Sequence, residues 1–285
     1  MLFLIYFLIV LCAGTQSATT KLFNRRADAP AIFNAIKASS ALVLFALIAA
    51  FGFTLHFPTL LFGFFYGASL CLSMHTGYKA LCLGPMALTS MLVSFSVVIP
   101  LVFGVTVLDE KLGIFKGIAL LLLVFAIVLT NASKLKKGER AEKGYARWLF
   151  FVFLTFIANG LCSVIQKQHQ TLYPGAYSRE FMLFAVLLCA IVFSLAALIR
   201  LRPRQIFAVK GKGYAVLSGA ANGLMNFFTL VLAGMENASV LFPAISAGTI
   251  LASLLCGKLI FKEKLRIHHY LALIFGIAAV VLMKL

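Results

Sequence analysis

Four amide side chains interrupt long apolar stretches of this sequence. They are Gln16, Asn159, Asn222 and Asn226. Asn222 and Asn226 are four residues apart, so on a helix they would share one face. Amides inside apolar helices join neighbouring helices by hydrogen bonds, or they bind a solute in the same way, and the sequence leaves both roles open. We take the four residues as a hypothetical substrate-binding set.

Two further residues extend this set. His75 lies in another apolar stretch, and because imidazole titrates near neutral pH it could accept and release protons. The alternative for His75 is a structural hydrogen bond. Phe227 follows Asn226 directly and could line an apolar wall of the same site. Proton coupling is therefore a second hypothesis, attached to His75.

The sequence offers no set of residues that predicts catalysis. It contains no zinc-binding HExxH motif, no phosphate-binding glycine loop and no nucleophile–base pair with a defensible spacing. Its six cysteines all lie in apolar runs and form no CxxC pair, which is typical of packing residues. We therefore expect neither an enzyme, nor a metal site, nor a cofactor.

The carboxylates lie at the ends of the apolar runs or between them. They are Asp28, Asp109, Glu110, Glu139, Glu142, Glu180, Glu236 and Glu263. A protein that carries lipophilic cations usually needs an acid at mid-depth to offset the desolvation of its cargo. The sequence therefore disfavours cation export.

The elements that hold these residues must be membrane helices. The chain is 62% hydrophobic and only 12% charged, with a mean hydropathy of +1.04, too apolar for a soluble domain. The apolar runs are long and continuous, which predicts helices rather than the alternating strands of a barrel. The class predicted is an all-α integral membrane protein.

The net charge of +17 marks cytoplasmic loops rather than a nucleic-acid surface. Most Lys and Arg fall in the odd-numbered loops, which places these loops in the cytoplasm and both termini outside. We call this face of the molecule the basic side. Lys37 and Lys79 lie within predicted spans, and we expect them to snorkel to the basic side.

Ten spans are predicted, each close to the length that crosses a bilayer. They cover 2–23, 31–53, 59–82, 85–108, 112–132, 147–170, 177–200, 213–235, 238–261 and 266–284. The one clearly polar linker is 133–146. It divides the chain into a first five-span repeat, 1–132, and a second, 147–285.

The two halves repeat each other. At one constant offset, Gly104 aligns with Gly257 and Glu110 with Glu263, which indicates a duplicated unit. Because five crossings is an odd number, the second copy must be inverted relative to the first. Inverted repeats are common in secondary transporters, whose substrate site lies near the midplane between the repeats. Glu110 and Glu263 each precede a predicted span and are interpreted as helix caps or, alternatively, gating residues.

Ten spans in two halves, with a Glu between the fourth and fifth spans of each, resemble the drug/metabolite transporter superfamily, EamA type. The residues that carry the resemblance are Gly84-Pro85, Pro100, Gly104 and Asp109-Glu110-Lys111 in one half, and Gly257, Glu263, Lys264 and Leu265 in the other. The resemblance implies a ten-span permease for small metabolites or drugs and leaves the substrate open.

The function predicted from the sequence is secondary transport of a small neutral, zwitterionic or anionic metabolite by alternating access. We expect a multi-pass protein of the cell inner membrane whose partners are the bilayer and its solute, not nucleic acid. Two alternatives stay open: an exporter of lipophilic or cationic drugs, and a non-transporting scaffold or lipid-handling protein.

Overall fold

The structure is a computed structural model, and every regular element among its described residues is helical. It describes residues 2–26, 29–84, 89, 92–110, 113–115, 117–119, 121–122, 125, 144–200, 209–261, 270–271, 274–275, 278 and 282. The helices are α1 (Leu2–Asn24), α2 (Pro30–Ala49), α3 (Phe57–Leu83), α4 (Val98–Val107), α5 (Tyr145–Leu172), α6 (Ser178–Arg200), α7 (Lys212–Ala233) and α8 (Ala238–Leu259).

Seven of these helices are long and apolar enough to cross a membrane, namely α1, α2, α3, α5, α6, α7 and α8. A shorter apolar helical stretch covers Leu92–Val107. Large apolar side chains face outwards, with Phe3, Phe51 and Ile199 each more than four-fifths exposed. Such a surface needs lipid around it, so the chain is an all-α, multi-pass membrane protein.

Proline and glycine set the helix ends that the sequence indicates. Pro30 begins α2 and Pro58 lies in the first turn of α3, where a missing N–H costs nothing. Gly211, with φ of 86°, precedes α7. In the predicted fourth span, a 3₁₀ turn at Phe95–Val97 leads into α4. The fifth and tenth predicted spans and the linker 133–146 lie largely outside the described residues.

The helices pack in pairs that link the two predicted halves. In the described part of the chain, α1 packs on α7, α3 packs on α5, and α2 packs on α6. α3 also contacts α6, and α7 contacts α2. If α1, α2 and α3 correspond to α5, α6 and α7, the α1–α7 contact is equivalent to the α3–α5 contact. In the same way, the α3–α6 contact is equivalent to the α2–α7 contact. The tightly packed helix pairs are thus formed between the halves rather than within them.

Glycines let two of these pairs touch backbone to backbone. On α3, a Cβ at Gly67 would lie 2.8 Å from the carbonyl oxygen of Ala185 on α6. On α7, a Cβ at Gly219 would overlap the carbonyl oxygen of Lys37 on α2. Small residues are typical of close membrane-helix contacts. Both helix pairs therefore rely on a glycine for their close approach, at Gly219 between α2 and α7 and at Gly67 between α3 and α6.

Candidate functional site

A cavity of about 270 Å³ lies inside the bundle. Its lining comes from residues 13–20 of α1, 33–37 of α2 and 70–81 of α3. In these three helices the lining segments belong to the halves nearest the basic side. From α5, α7 and α8 the cavity takes residues closer to the middle of each helix. The cavity thus lies between the two predicted halves and extends from the centre of the bundle towards the basic side.

All four predicted amides line this cavity. The Asn222 amide donates to the side-chain oxygen of Gln16 (3.0 Å), joining α7 to α1. Asn226 donates to the carbonyl oxygen of Asn222 (2.9 Å). On the opposite wall, Ser73 of α3 donates to the Asn159 side chain of α5. The amides therefore connect helices and also face the cavity, so the two roles considered for them are compatible.

Hydroxyl groups supply much of the remaining polar lining. The serines and threonines that line the cavity are Ser17, Thr20, Ser73, Thr89, Ser94, Ser96, Thr155, Ser163, Thr229, Ser246 and Thr249, and Tyr78 adds a phenol hydroxyl. Many are held by bonds to their own helix, as Thr229 is to Met225 (2.8 Å). Hydroxyls both donate and accept. This wall can thus bind a polar solute without carrying charge.

The other two predicted site residues lie elsewhere. Phe227 packs against Phe45 of α2, with ring centroids 5.8 Å apart, and belongs to the apolar core around Tyr66. His75 is half-buried on α3. Neither is among the described residues that line the cavity.

Among the described residues that line the cavity, Lys37 is the single Lys or Arg. Only 5% of it is exposed, although we expected it to snorkel to the surface. The close approach of Gly219 and a hydrogen bond from Ser40 to the carbonyl oxygen of Val216 (2.7 Å) hold this part of α2 against α7. Lys79 is half-buried and lies over the Phe151 ring, 5.0 Å from its centroid.

Asn34 lies one turn before Lys37 and also lines the cavity. It is 1% exposed, and neither its amide nitrogen nor its oxygen has a hydrogen-bond partner among the described residues. The sequence carried a signal that our reading did not use, because Asn34 and Lys37 are three residues apart and share one face of an apolar helix.

Gln166 of α5 is a further lining residue that the sequence did not single out. Its amide donates to the Tyr66 hydroxyl (3.2 Å) and to the carbonyl oxygen of Asn226 (3.1 Å). These bonds tie α5 to α3 and α7 at the cavity wall farthest from the basic side.

Beyond Gln166, two charged side chains hold the turn between α7 and α8. The Glu110 carboxylate accepts from the backbone N–H groups of Ala238 (2.8 Å) and Ser239 (2.9 Å). Lys167 donates to the carbonyl oxygens of Ala233 (3.1 Å) and Glu236 (2.7 Å). We call residues 233–239, with these two side chains, the α7–α8 junction. Glu110 is thus a helix cap, and the hydrogen bonds of its carboxylate go to the start of α8, a helix of the other predicted half.

The acid that the repeat aligns with Glu110 is Glu263, which falls outside the described residues.

A second buried polar cluster lies near the junction, where the Thr59 hydroxyl is 2.9 Å from His56 Nδ1 and 3.0 Å from His169 Nε2. His169 is fully buried. At the end of the bundle away from the basic side, the Thr59–His169 hydrogen bond joins α3 to α5.

The chemistry available in the cavity is binding by hydrogen bonds and one positive charge. No Asp or Glu is found among the described lining residues, and no group of three metal-ligating side chains occurs in the described part of the chain. A neutral or anionic solute therefore meets suitable partners here, whereas a cation meets a like charge.

No protein-family model matches this chain, and no curated protein sequence is detectably similar to it. Among 28 matching chains of solved structures, one crystal structure covers 98% of this chain and 96% of its own, with a TM-score of 0.72 at 14% sequence identity. At this identity the likeness shows a shared fold over nearly the whole chain.

Proposed function

We propose that this protein is a secondary transporter for a small neutral, zwitterionic or anionic metabolite. The observation that carries the proposal is the cavity of about 270 Å³, which is lined by both predicted halves and carries amide and hydroxyl groups on its walls. A cavity in this position is where transporters built from two repeats bind their substrate. This volume lies near the lower end of the range for small-molecule sites, about 300–1,000 Å³, which favours a small metabolite over a large drug.

Alternating access requires two halves that can move relative to each other. The paired contacts of α1 with α7 and of α3 with α5 support two halves related by a pseudo-twofold axis, as the proposed inverted repeat requires. Gly67 and Gly219 lie at equivalent crossings in the two halves. Ten spans in two inverted five-span repeats of EamA type, in the cell inner membrane, remain part of this proposal.

The two ends of the cavity indicate the side of the membrane to which it opens in this conformation. At the end away from the basic side, the α7–α8 junction and the bonds of Gln166 join the helices beyond the cavity. The lining extends towards the basic side, which the positive-inside rule assigns to the cytoplasm. We therefore propose that this is a conformation closed to the outside.

The absence of acids among the described lining residues favours metabolite transport over export of cationic drugs. A non-transporting scaffold would use the lining amides only to join helices. Asn222→Ala combined with Asn226→Ala separates the two ideas, because a transporter should lose flux while a scaffold should keep its function.

The test is reconstitution of the full chain in liposomes, with labelled organic acids, amino acids and nucleosides as probes. We expect saturable uptake of at least one class and a loss of about tenfold or more in the double Asn variant. Thr106→Ala is the matched control, because Thr106 is exposed and bonds only to its own helix. Absence of saturable flux for every class in either gradient direction would refute the proposal.

A further inference from the structure

The most unusual group in the cavity is the ammonium of Lys37. Lys37 lies seven residues after Pro30, the first residue of α2, which is about 10 Å along the helix axis. Its side chain is 5% exposed. No hydrogen bond or ion pair joins its side chain to another described residue. Lys167, by contrast, donates to two carbonyl oxygens. This buried lysine at a helix crossing thus has no counter-charge among the described residues.

A buried cation of this kind is costly to keep inside a membrane protein. Most such charges pair with an acid or with backbone carbonyls. Because the described lining contains no acid, an anionic solute bound in the cavity would supply the counter-ion for Lys37. The cavity is therefore electrostatically incomplete when empty.

Asn34 gives an independent indication of a ligand. Both polar atoms of its side chain are buried and unpartnered among the described residues, and such groups are rare because each costs the full penalty of desolvation. The side-chain amide can donate to an oxygen of the same solute that neutralises Lys37. A lysine and an amide one turn apart form a natural pair for a carboxylate.

The charge and size of the cavity define the solute further. One lysine balances one negative charge, so a doubly charged phosphate ester would remain partly uncompensated. The hydroxyl and amide groups on the other walls suit a polar, uncharged remainder. An amino acid would bring an ammonium group that finds no carboxylate among the described lining residues.

We infer that Lys37 and Asn34 form an anion-binding subsite and that the substrate is a small monocarboxylate. This inference rests on the proposed transport function only in calling the bound monocarboxylate a substrate, because its binding can be measured without transport. Lys37 provides the charge, Asn34 orients the carboxylate, and the hydroxyl wall around Thr155 and Ser73 holds the rest of the molecule.

The first experiment measures binding to the purified full chain in detergent, as ligand-induced thermal stabilisation. The probes are lactate, its uncharged analogue lactamide, alanine, choline and chloride. We expect stabilisation by lactate, and an affinity for lactamide lower by about tenfold, the value of one charge-assisted hydrogen bond. Equal stabilisation by lactate and lactamide, or by lactate and chloride, would overturn the inference.

Three variants assign the site. Lys37→Met should lower lactate affinity at least about tenfold and leave lactamide binding unchanged, while Lys37→Arg should restore part of the lactate binding because it keeps the charge. Lys79→Met is the matched control, since Lys79 is also a lysine of the basic side but lies over Phe151. Asn34→Leu should weaken lactate binding while keeping the protein folded.

Flux in liposomes separates this inference from the proposed function. If lactate binds in a Lys37-dependent manner but no probe is transported, the subsite stands and the transporter proposal fails. If lactamide or alanine is transported while lactate neither binds nor moves, the transporter proposal stands and the subsite is refuted. Equal loss of lactate and lactamide binding in a folded Lys37→Met variant would make Lys37 a structural residue instead.

Discussion

The α7–α8 junction and the cavity each contain one buried lysine, and the two lysines differ in their hydrogen-bond partners. At the junction, Lys167 is 8% exposed and donates to two helix-end carbonyl oxygens, while Glu110 accepts from two helix-start N–H groups. In the cavity, Lys37 is 5% exposed and makes no hydrogen bond within the described residues. The hydrogen bonds of Lys167 and Glu110 to backbone groups stabilise the fold, whereas Lys37 is available to bind a solute.

The largest expected effect comes from the contact that holds Lys37 in place. Gly219→Ala would put a Cβ on the carbonyl oxygen of Lys37, so α2 and α7 must separate, and we expect a loss of roughly 3 kcal/mol in unfolding free energy. The measurement is the apparent melting midpoint in detergent, followed through the fluorescence of Trp148.

Gly213→Ala is the control for this change, because a Cβ at Gly213 on the same helix would meet nothing within 4 Å. It should melt at or slightly above the wild-type midpoint, since alanine favours helix. Equal midpoints for the two variants would show that the α2–α7 contact is not as tight as described.

The next effect is at the junction. Lys167→Met removes two charge-assisted hydrogen bonds and leaves the carbonyls of Ala233 and Glu236 without that donor. We expect a loss of about 2–3 kcal/mol, measured as a lower melting midpoint in detergent. Lys79→Met should shift the midpoint far less. A midpoint within one degree of wild type would contradict a structural role for Lys167.

Glu110→Gln should have a smaller effect. The glutamine oxygen can still accept one of the two bonds from Ala238 and Ser239, but the charge at the start of α8 is lost. A loss of about 1–2 kcal/mol is expected. Glu110→Ala, which removes both acceptors, should melt lower still, and the reverse order would argue against capping of α8.

The smallest expected effect on stability is that of Lys37→Met. It removes a buried charge with no partner among the described residues, so the melting midpoint should stay the same or rise, by no more than about 1 kcal/mol in free energy. The same substitution at Lys167 should destabilise. If both variants lose stability equally, Lys37 has a structural role and the contrast between the two regions fails.

Much of the fold was predictable because it depends on local patterns. The predicted spans 2–23, 59–82 and 213–235 lie within a few residues of α1, α3 and α7, since long apolar runs can only form helices in lipid. Prolines and glycines set several ends. The four amides were identified for the same reason, because a polar side chain in an apolar run is visible without coordinates.

The rest of the candidate site could not be assigned from sequence. Lys37 was interpreted as snorkelling, because a lysine near the end of a span usually reaches the surface. Glu110 was expected at the start of its following span, and nothing in the sequence indicated that α8 would come close enough to be capped. His75 matched the same criterion as the amides, and Phe227 was chosen because it follows Asn226, yet neither lines the cavity among the described residues.

The sequence by itself determined that this protein is helical, spans a membrane several times and carries a few polar groups at depth, because hydropathy and chain length act residue by residue. Only the tertiary structure decided which polar groups satisfy one another and which do not. Lys37 and Lys167 are both lysines of apolar helices. The backbone of Lys37 packs on Gly219 and its side chain lines the cavity, whereas Lys167 donates to a carbonyl oxygen at the end of α7. That difference arises from contacts between distant segments, which no local pattern encodes.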